Sequence, residues 1–583
     1  MAEQMHIRVH IRERWEGRDW LAGLALLLAT AGFVLWQNAH IAVLWDLSYL
    51  LDTSWRIALG QTPYRDFPLV HPPGTFLIQA ALMRVFGRVA WVPIGYAAVV
   101  GGAATVLAWR ILLRELQRRV QSAWVAALAL AAPLCFLGIY GVYPHPIYDC
   151  DCIFAVLVAV FLLQRLIRRV ERGWLDVSRL AFAAGVGAVI PSFFKQNIGL
   201  PFLLVLGVEA MVLLALQLWR RENDRILIRA IVWMLAGVAV GLGCYGLLVQ
   251  FTAGFGNFWH WTVTFAGERR LPGFGPLLAN YKQAQLLWMM PALLVGRVLL
   301  ANHRGAWIRR VGALLLLAPF VGVLVEFFAV ESLGGGFDDQ ADALLLLWPL
   351  LLLAAGAQAL LRLRKGVTRR ALMPFLLLAA IHGTLLSQQL WGSTYAIWPL
   401  LLILLAGLLE ALPAAADWVA PALGGSVGVI LLVCGGVYAA GHDRLSYLNE
   451  IDGSVAHASL PALRGMSAPG PYLADFEELV GFAEREIPYG DGILLLPGEE
   501  PFFFATGRAP QFPVQIFDRT TDPYSAEELM AEARRRGISW VIVKTRLQSN
   551  EDPLPERERT MGLVAGEFQV ERELSGYTVY RRK

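Results

Sequence analysis

Ionisable side chains are scarce in the apolar part of this chain, and outside its arginine clusters several of them gather in four places. Asp46, Asp52, Asp66 and His71 fall in WDLSYLLDTSWRIALGQTPYRDFPLVHPPG (45–74), and His145, Asp149 and Asp151 in or beside YPHPIYDCD (143–151). Lys195 stands in FFKQNIGL (193–200), and His260, Glu268, Arg269 and Arg270 lead into FAGERRLPGFG (265–275). Carboxylates of this kind can take a proton from a hydroxyl, and lysine, arginine and histidine can hydrogen-bond an anionic group. That chemistry requires the rest of the chain to bring the four groups to one place.

The rest of the chain is built for a bilayer. Of 583 residues 57% are hydrophobic and 16% charged, with mean hydropathy +0.52, against about 25% charged in a soluble domain. Fifty basic residues against 46 acidic ones leave no polybasic field for nucleic acid. The five cysteines lie in or beside apolar segments, without zinc or disulfide spacing. The first apolar run reads as a retained span and not as a cleaved signal peptide.

Arginine clusters at 110–119, 165–179, 220–229, 302–310 and 362–370 mark connectors predicted to be cytoplasmic, together with the N-terminus. GTFLIQAALMRVFG (74–87) is too short to cross and would break the alternation, so it is predicted to be an interfacial or re-entrant helix inside an external loop, 41–90. The expected spans are then 20–40, 91–112, 122–141, 151–167, 179–194, 198–218, 227–249, 285–301, 311–330, 342–360, 371–390, 395–412 and 419–440, about thirteen crossings. PAAADW (413–418) is the one predicted cytoplasmic link without a basic residue. WPLLL occurs at 348–352 and 398–402, too short to establish a repeat. The predicted fold class is a polytopic α-helical membrane protein, 1–440, with a small C-terminal extracytoplasmic α/β domain, 441–583. In that domain, DFEELVGFAEREI and AEELMAEARRRG have helical periodicity, and GILLLPG, SWVIVKT and GYTVYRR read as strands.

Local geometry narrows the candidates. Asp46 stands where the N-cap of a helix over 46–59 would be, and six steps of about 100° turn Asp52 to a separate face. Asp52 and Asp66 then read as solvated loop carboxylates. Asp149 and Asp151, two positions apart, are aimed differently on any helix, so one of them is expected in a site, with Asp149 nearer the loop. Lys195 reads either as a snorkelling span-end lysine or as an anion contact. Arg269 and Arg270 read as a solvated loop or as one closing on a substrate.

The first loop resembles that of GT-C membrane glycosyltransferases, in particular the protein mannosyltransferase-like and aminoarabinose transferase-like branch. The resemblance lies in an aspartate before an apolar helix, then GQTPYRDF, HPPG and FG, extending to YPHPIYDCD and FFKQNIGL. It implies a GT-C-like fold and transfer of a sugar from a polyprenyl-phosphate donor to an acceptor hydroxyl of a lipid, glycan or protein. It also implies inversion at the anomeric carbon, at the external face of a bacterial-type cytoplasmic membrane. On this resemblance Asp46 is the general base, and Asp149 or Asp151 the second-loop acid. Tyr64, Arg65, His71, Lys195, Arg269 and Arg270 are candidates for holding the donor. His71 replaces a lysine of the aminoarabinose branch, and Leu47 replaces an acid that usually follows the first aspartate.

A divalent metal is a candidate cofactor, but GGGFDDQAD (334–342) reads first as a polar glycine-rich turn. Two other classes fit less well. A secondary transporter calls for mid-membrane charges and an internal repeat; a scaffold of the same architecture would keep the loops and lack the reaction.

Overall fold

The computed structural model describes residues 15–40, 44–117, 120, 122–221, 224–270, 274–302, 305–332, 337–386, 396–413, 418–440, 455–498, 500–547 and 554–583. The 413–418 link lies largely outside these residues; of the 334–342 segment, expected as a glycine-rich turn, 334–336 lie outside and 337–342 are helical.

The first helices are α1 Gly17–Asn38, α2 Leu44–Ala58, α3 Gly74–Phe86, α4 Trp91–Leu116, α5 Ala123–Ala131, α6 Leu134–Leu137, α7 Tyr148–Glu171, α8 Ser178–Val189, α9 Gln196–Trp219 and α10 Arg225–Thr252. Three short helices follow, α11 Phe255–Trp259, α12 Ala266–Arg269 and α13 Phe274–Ala279. Then come α14 Leu286–Asn302, α15 Ala306–Ser332, α16 Phe337–Leu345, α17 Leu347–Arg364, α18 Arg369–Thr384, α19 Trp398–Glu410 and α20 Val419–Ala440.

Among the described residues, each predicted span overlaps one of these helices or a helix pair. Eight are long and apolar enough to cross a bilayer. Proline accounts for two interruptions: Pro133 separates α5 from α6, and Pro191 lies in the 3₁₀ turn Ile190–Phe193 that ends α8. Large apolar side chains such as Leu218, Phe251 and Leu287 are about four-fifths exposed, the outward surface a bilayer covers. Inside the bundle, small residues let backbones touch. A Cβ on Gly185 would stand 2.0 Å from the Met234 carbonyl, and one on Gly237 2.2 Å from that of Phe182, so α8 and α10 seat on each other reciprocally. The two WPLLL stretches pack together through Trp348 and Trp398, with ring centroids 6.2 Å apart. At 13 residues, α3 rises only about 20 Å, short of the roughly 30 Å core, in keeping with the interfacial expectation.

The C-terminal part contains α21 Tyr472–Glu486, α22 Phe502–Thr506, α23 Ala526–Arg535 and α24 Arg557–Glu567. Its strands are β1 Val455–His457, β2 Ser467–Pro469, β3 Gly492–Leu496, β4 Ile538–Lys544, β5 Phe568–Glu573 and β6 Tyr577–Arg582. The main sheet has the order β3-β4-β6-β5, with β3 parallel to β4 and the other pairs antiparallel. The two-residue period of a strand sends its side chains into two cores. Leu494, Leu496, Val541 and Val543 face the core against α23 and α24, whereas Ile493, Leu495, Trp540 and Ile542 belong to a core shared with α2 and α3. Of the two cores of the C-terminal domain, one is therefore its own and the other is shared with the first loop.

Candidate functional site

The docking of the C-terminal domain fixes α2. Asp52 is 3% exposed and accepts hydrogen bonds from the backbone N–H groups of Phe504 (2.7 Å) and Phe503 (3.3 Å), capping α22. This corrects the expectation of a solvated loop carboxylate: the face turned away from Asp46 meets the C-terminal domain. Thr53 donates to Gln515, Trp55 to the Arg508 carbonyl and Arg56 to the Phe512 carbonyl; Arg88 donates to the carbonyls of Phe504 and Ala505. Burial pushes the Asp52 carboxyl up to about 7 against those backbone donors, and pushes Arg56 down to about 9.

Asp46 lies within α2, two residues past Leu44, and not at its N-cap. Its side chain lies outside the described part of the structure.

Farther along the loop, Tyr64 takes a left-handed conformation (φ 69°), with its N–H on the Phe67 carbonyl and its buried hydroxyl on the His71 carbonyl. His71 is thereby held over Tyr148, ring centroids 3.9 Å apart and 25° from parallel. Neither nitrogen of its buried ring has a hydrogen-bond partner. Burial, followed by the charges of Lys195 and Arg270, holds the imidazole well below its usual pKa, so it is neutral. A protonated His71 does not fit this environment. Arg65, by contrast, pairs with the adjacent Asp66 at 3.1 Å on the surface, and Asp66 also accepts from the Thr62 N–H.

Gly74 joins this loop to FFKQNIGL. A Cβ there would stand 2.7 Å from the Phe193 carbonyl and 2.9 Å from the Phe194 ring, so only glycine lets HPPG lie against that segment. Gln196 reinforces the contact by donating to the carbonyls of Val70 and Thr262, both at 3.2 Å. These contacts bring Lys195 below His71. Its ammonium is 4.3 Å from the Tyr148 ring centroid and 3.1 Å from each oxygen of Asp149. Lysine and aspartate are both buried, so Lys195 does not snorkel to open solvent.

The first turn of α7 separates its two acids. Asp149 turns to Lys195, whereas Asp151 accepts from Thr75 (2.6 Å), Tyr140 (2.6 Å) and Tyr96 (2.8 Å). Three hydroxyl donors occupy Asp151 and tie α3, α4 and the 138–147 loop to α7. Its surroundings are those of a structural anchor; Asp149 is the acid beside a cation.

No known family description matches the chain, and no curated protein is significantly similar to it. Solved structures are similar over most of its length. ArnT from Cupriavidus metallidurans, bound to undecaprenyl phosphate, is 13% identical with TM-score 0.45, covering 97% of this chain and 98% of that one. The oligosaccharyltransferase AglB from Archaeoglobus fulgidus, in complex with an inhibitory peptide and a dolichol-phosphate, is 12% identical with TM-score 0.49, covering 91% and 70%. Both are GT-C superfamily glycosyltransferases.

The fourth group divides as well. Arg269 leaves the loop for the C-terminal domain, donating to the carbonyls of Asp522 (2.6 Å) and Arg519 (3.4 Å). Arg270 is half-buried, and its charge acts on His71. His145 is buried on the edge of Tyr143. Among the described residues no three His, Cys, Asp or Glu side chains converge to hold a metal; Asp149 and Asp151 are engaged by Lys195 and by hydroxyls. Tyr148, between His71 and Lys195, was not among the predicted site residues. The signal available was its place directly before Asp149, and aromatic abundance hides it.

Proposed function

We propose that this protein is an integral membrane glycosyltransferase that moves a sugar from a polyprenyl-phosphate donor to an acceptor hydroxyl, at the membrane face bearing the C-terminal domain. Residues 1–440 form the transferase module and 441–583 the soluble domain. The site face is external in a bacterial-type cytoplasmic membrane, following the arginine distribution. The observation that carries this reading is the buried Lys195–Asp149 pair beneath His71 and Tyr148, roofed by the first loop and bordered by Arg270.

In the reaction, the Asp46 carboxylate takes the proton of the acceptor hydroxyl. The hydroxyl oxygen attacks the anomeric carbon from the face opposite the phosphate. The bond from that carbon to the phosphate oxygen breaks, its electron pair leaves with the lipid phosphate, and the configuration inverts. Lys195 and Arg270 stabilise the departing anion; Asp149 holds the ammonium in place, and neutral His71 can donate one hydrogen bond without adding charge. Mass spectrometry of the purified protein should find a polyprenyl phosphate or its sugar ester. Asp46→Asn should abolish transfer at normal protein levels. Undiminished transfer would remove Asp46 as the base, and glycosylation equally unaffected by Lys195→Met would favour the scaffold reading.

A further inference from the structure

On the same face, a cavity of about 410 Å³ opens between the 280–285 segment, α15, the end of α16 and the start of α17, within the range of about 300–1,000 Å³ usual for small-molecule sites. Its polar lining is Asn280, Tyr281, Gln283, Gln285, Glu326 and Asp342, with Trp348 on the wall. Glu326 belongs to the membrane-crossing part of α15, where a carboxylate facing a cavity marks function more often than packing. Gln285 holds it by donating at 3.1 Å. The Tyr281 hydroxyl contacts His382 Nε2 at 2.6 Å while Nδ1 meets the Leu378 carbonyl at 2.7 Å. Nδ1 therefore carries the proton, Nε2 accepts from the tyrosine, and the Tyr281 oxygen keeps a lone pair for a ligand.

Two features fix what such a lining recognises. Among the described residues lining it, two are carboxylates and none is lysine, arginine or histidine, which disfavours phosphate. Amides, carboxylates, a phenol and aromatic rings together suit a molecule dense in hydroxyls with apolar ring faces. One chain of contacts links the cavity to the proposed reaction site: Leu385 lines it, and Gly383, near the end of α18, accepts a 2.9 Å hydrogen bond from Asn197, two residues past Lys195.

We propose that this cavity is the acceptor subsite, and that it takes the hydroxyl-rich, phosphate-free sugar part of a membrane-anchored acceptor while the Lys195 side takes the donor phosphate. The assignment rests on the transferase reading. The test is therefore one of binding, independent of turnover: full-length protein in lipid nanodiscs, exposed to a diazirine-bearing alkyl maltoside below its micelle concentration, with labelled peptides mapped by mass spectrometry. Labelling is expected within 280–285 and 342–349, competed by maltose and not by glucose 6-phosphate. It should fall about fivefold or more in Glu326→Ala and in the more exposed Gln283→Ala, and persist in Asp46→Asn. Labelling elsewhere, equal competition by glucose 6-phosphate, or full labelling in a folded Gln283→Ala protein would overturn the proposal. Transfer by Asp46→Asn would instead count against the base assignment and leave the labelling result standing.

Discussion

The carboxylate of Asp52 lies 2.7 Å from the backbone nitrogen of Phe504, 452 residues later in the chain. This contact couples the helix bearing Asp46 to the C-terminal domain, and its acid is held near neutrality. The folded pKa, about 7, lies above the ordinary value of 3.8, so the folded state holds a proton the unfolded state has lost. The associated stability is complete below about pH 4 and declines as pH rises through 7, by up to about 1.4 kcal/mol per unit. Limited proteolysis of the C-terminal domain should accelerate from pH 5 to pH 8, and Asp52→Asn should flatten that dependence.

His71 has the opposite sign. Its folded pKa lies below the usual 6.5, so its contribution is present above about pH 6.5 and is lost as pH falls. Thermal unfolding in detergent should show acid destabilisation that His71→Gln reduces. The transfer rate of the wild type should show no inflection from this histidine between about pH 6 and 8.

Removing one member of a buried ion pair leaves the other uncompensated, typically at about 3–5 kcal/mol, whereas replacing both by apolar residues is often neutral. Asp149→Leu and Lys195→Met should each lower the unfolding temperature strongly, and the double variant should regain most of that loss. Transfer should remain absent in all three. An active double variant would reduce the pair to packing.

At Gly74 a methyl group meets a backbone carbonyl that cannot move aside. Gly74→Ala should cost about 1–3 kcal/mol, the usual range for overpacking. It should also reduce transfer in membranes where the protein is still folded, because the shift displaces HPPG from Phe193–Lys195.

Periodicity and arginine placement located the membrane helices, since both are local properties written in consecutive residues. The same held for β3, β4 and β6, whose apolar runs feed the two cores. β5 escaped because it is an exposed edge strand, FQVERE, whose charges hide any alternation. Side-chain partners were less legible. Helical spacing separated Asp149 from Asp151, yet nothing local told that one would meet Lys195 and the other three hydroxyls. Asp52 read as solvated because its partners, Phe503 and Phe504, are remote in sequence. His71 and Tyr148 stack although they are far apart in sequence, so no local pattern marks the pair.

The shared core also orders events during synthesis. The ribosome releases Asp52 and Arg56 long before Phe504 and Phe512, the groups that satisfy them, exist. Until then the first loop carries side chains destined for burial with nothing to bury against. A chain halted before residue 500 would leave this loop open to proteases and chaperones, so assembly of the proposed site waits for the last quarter of translation.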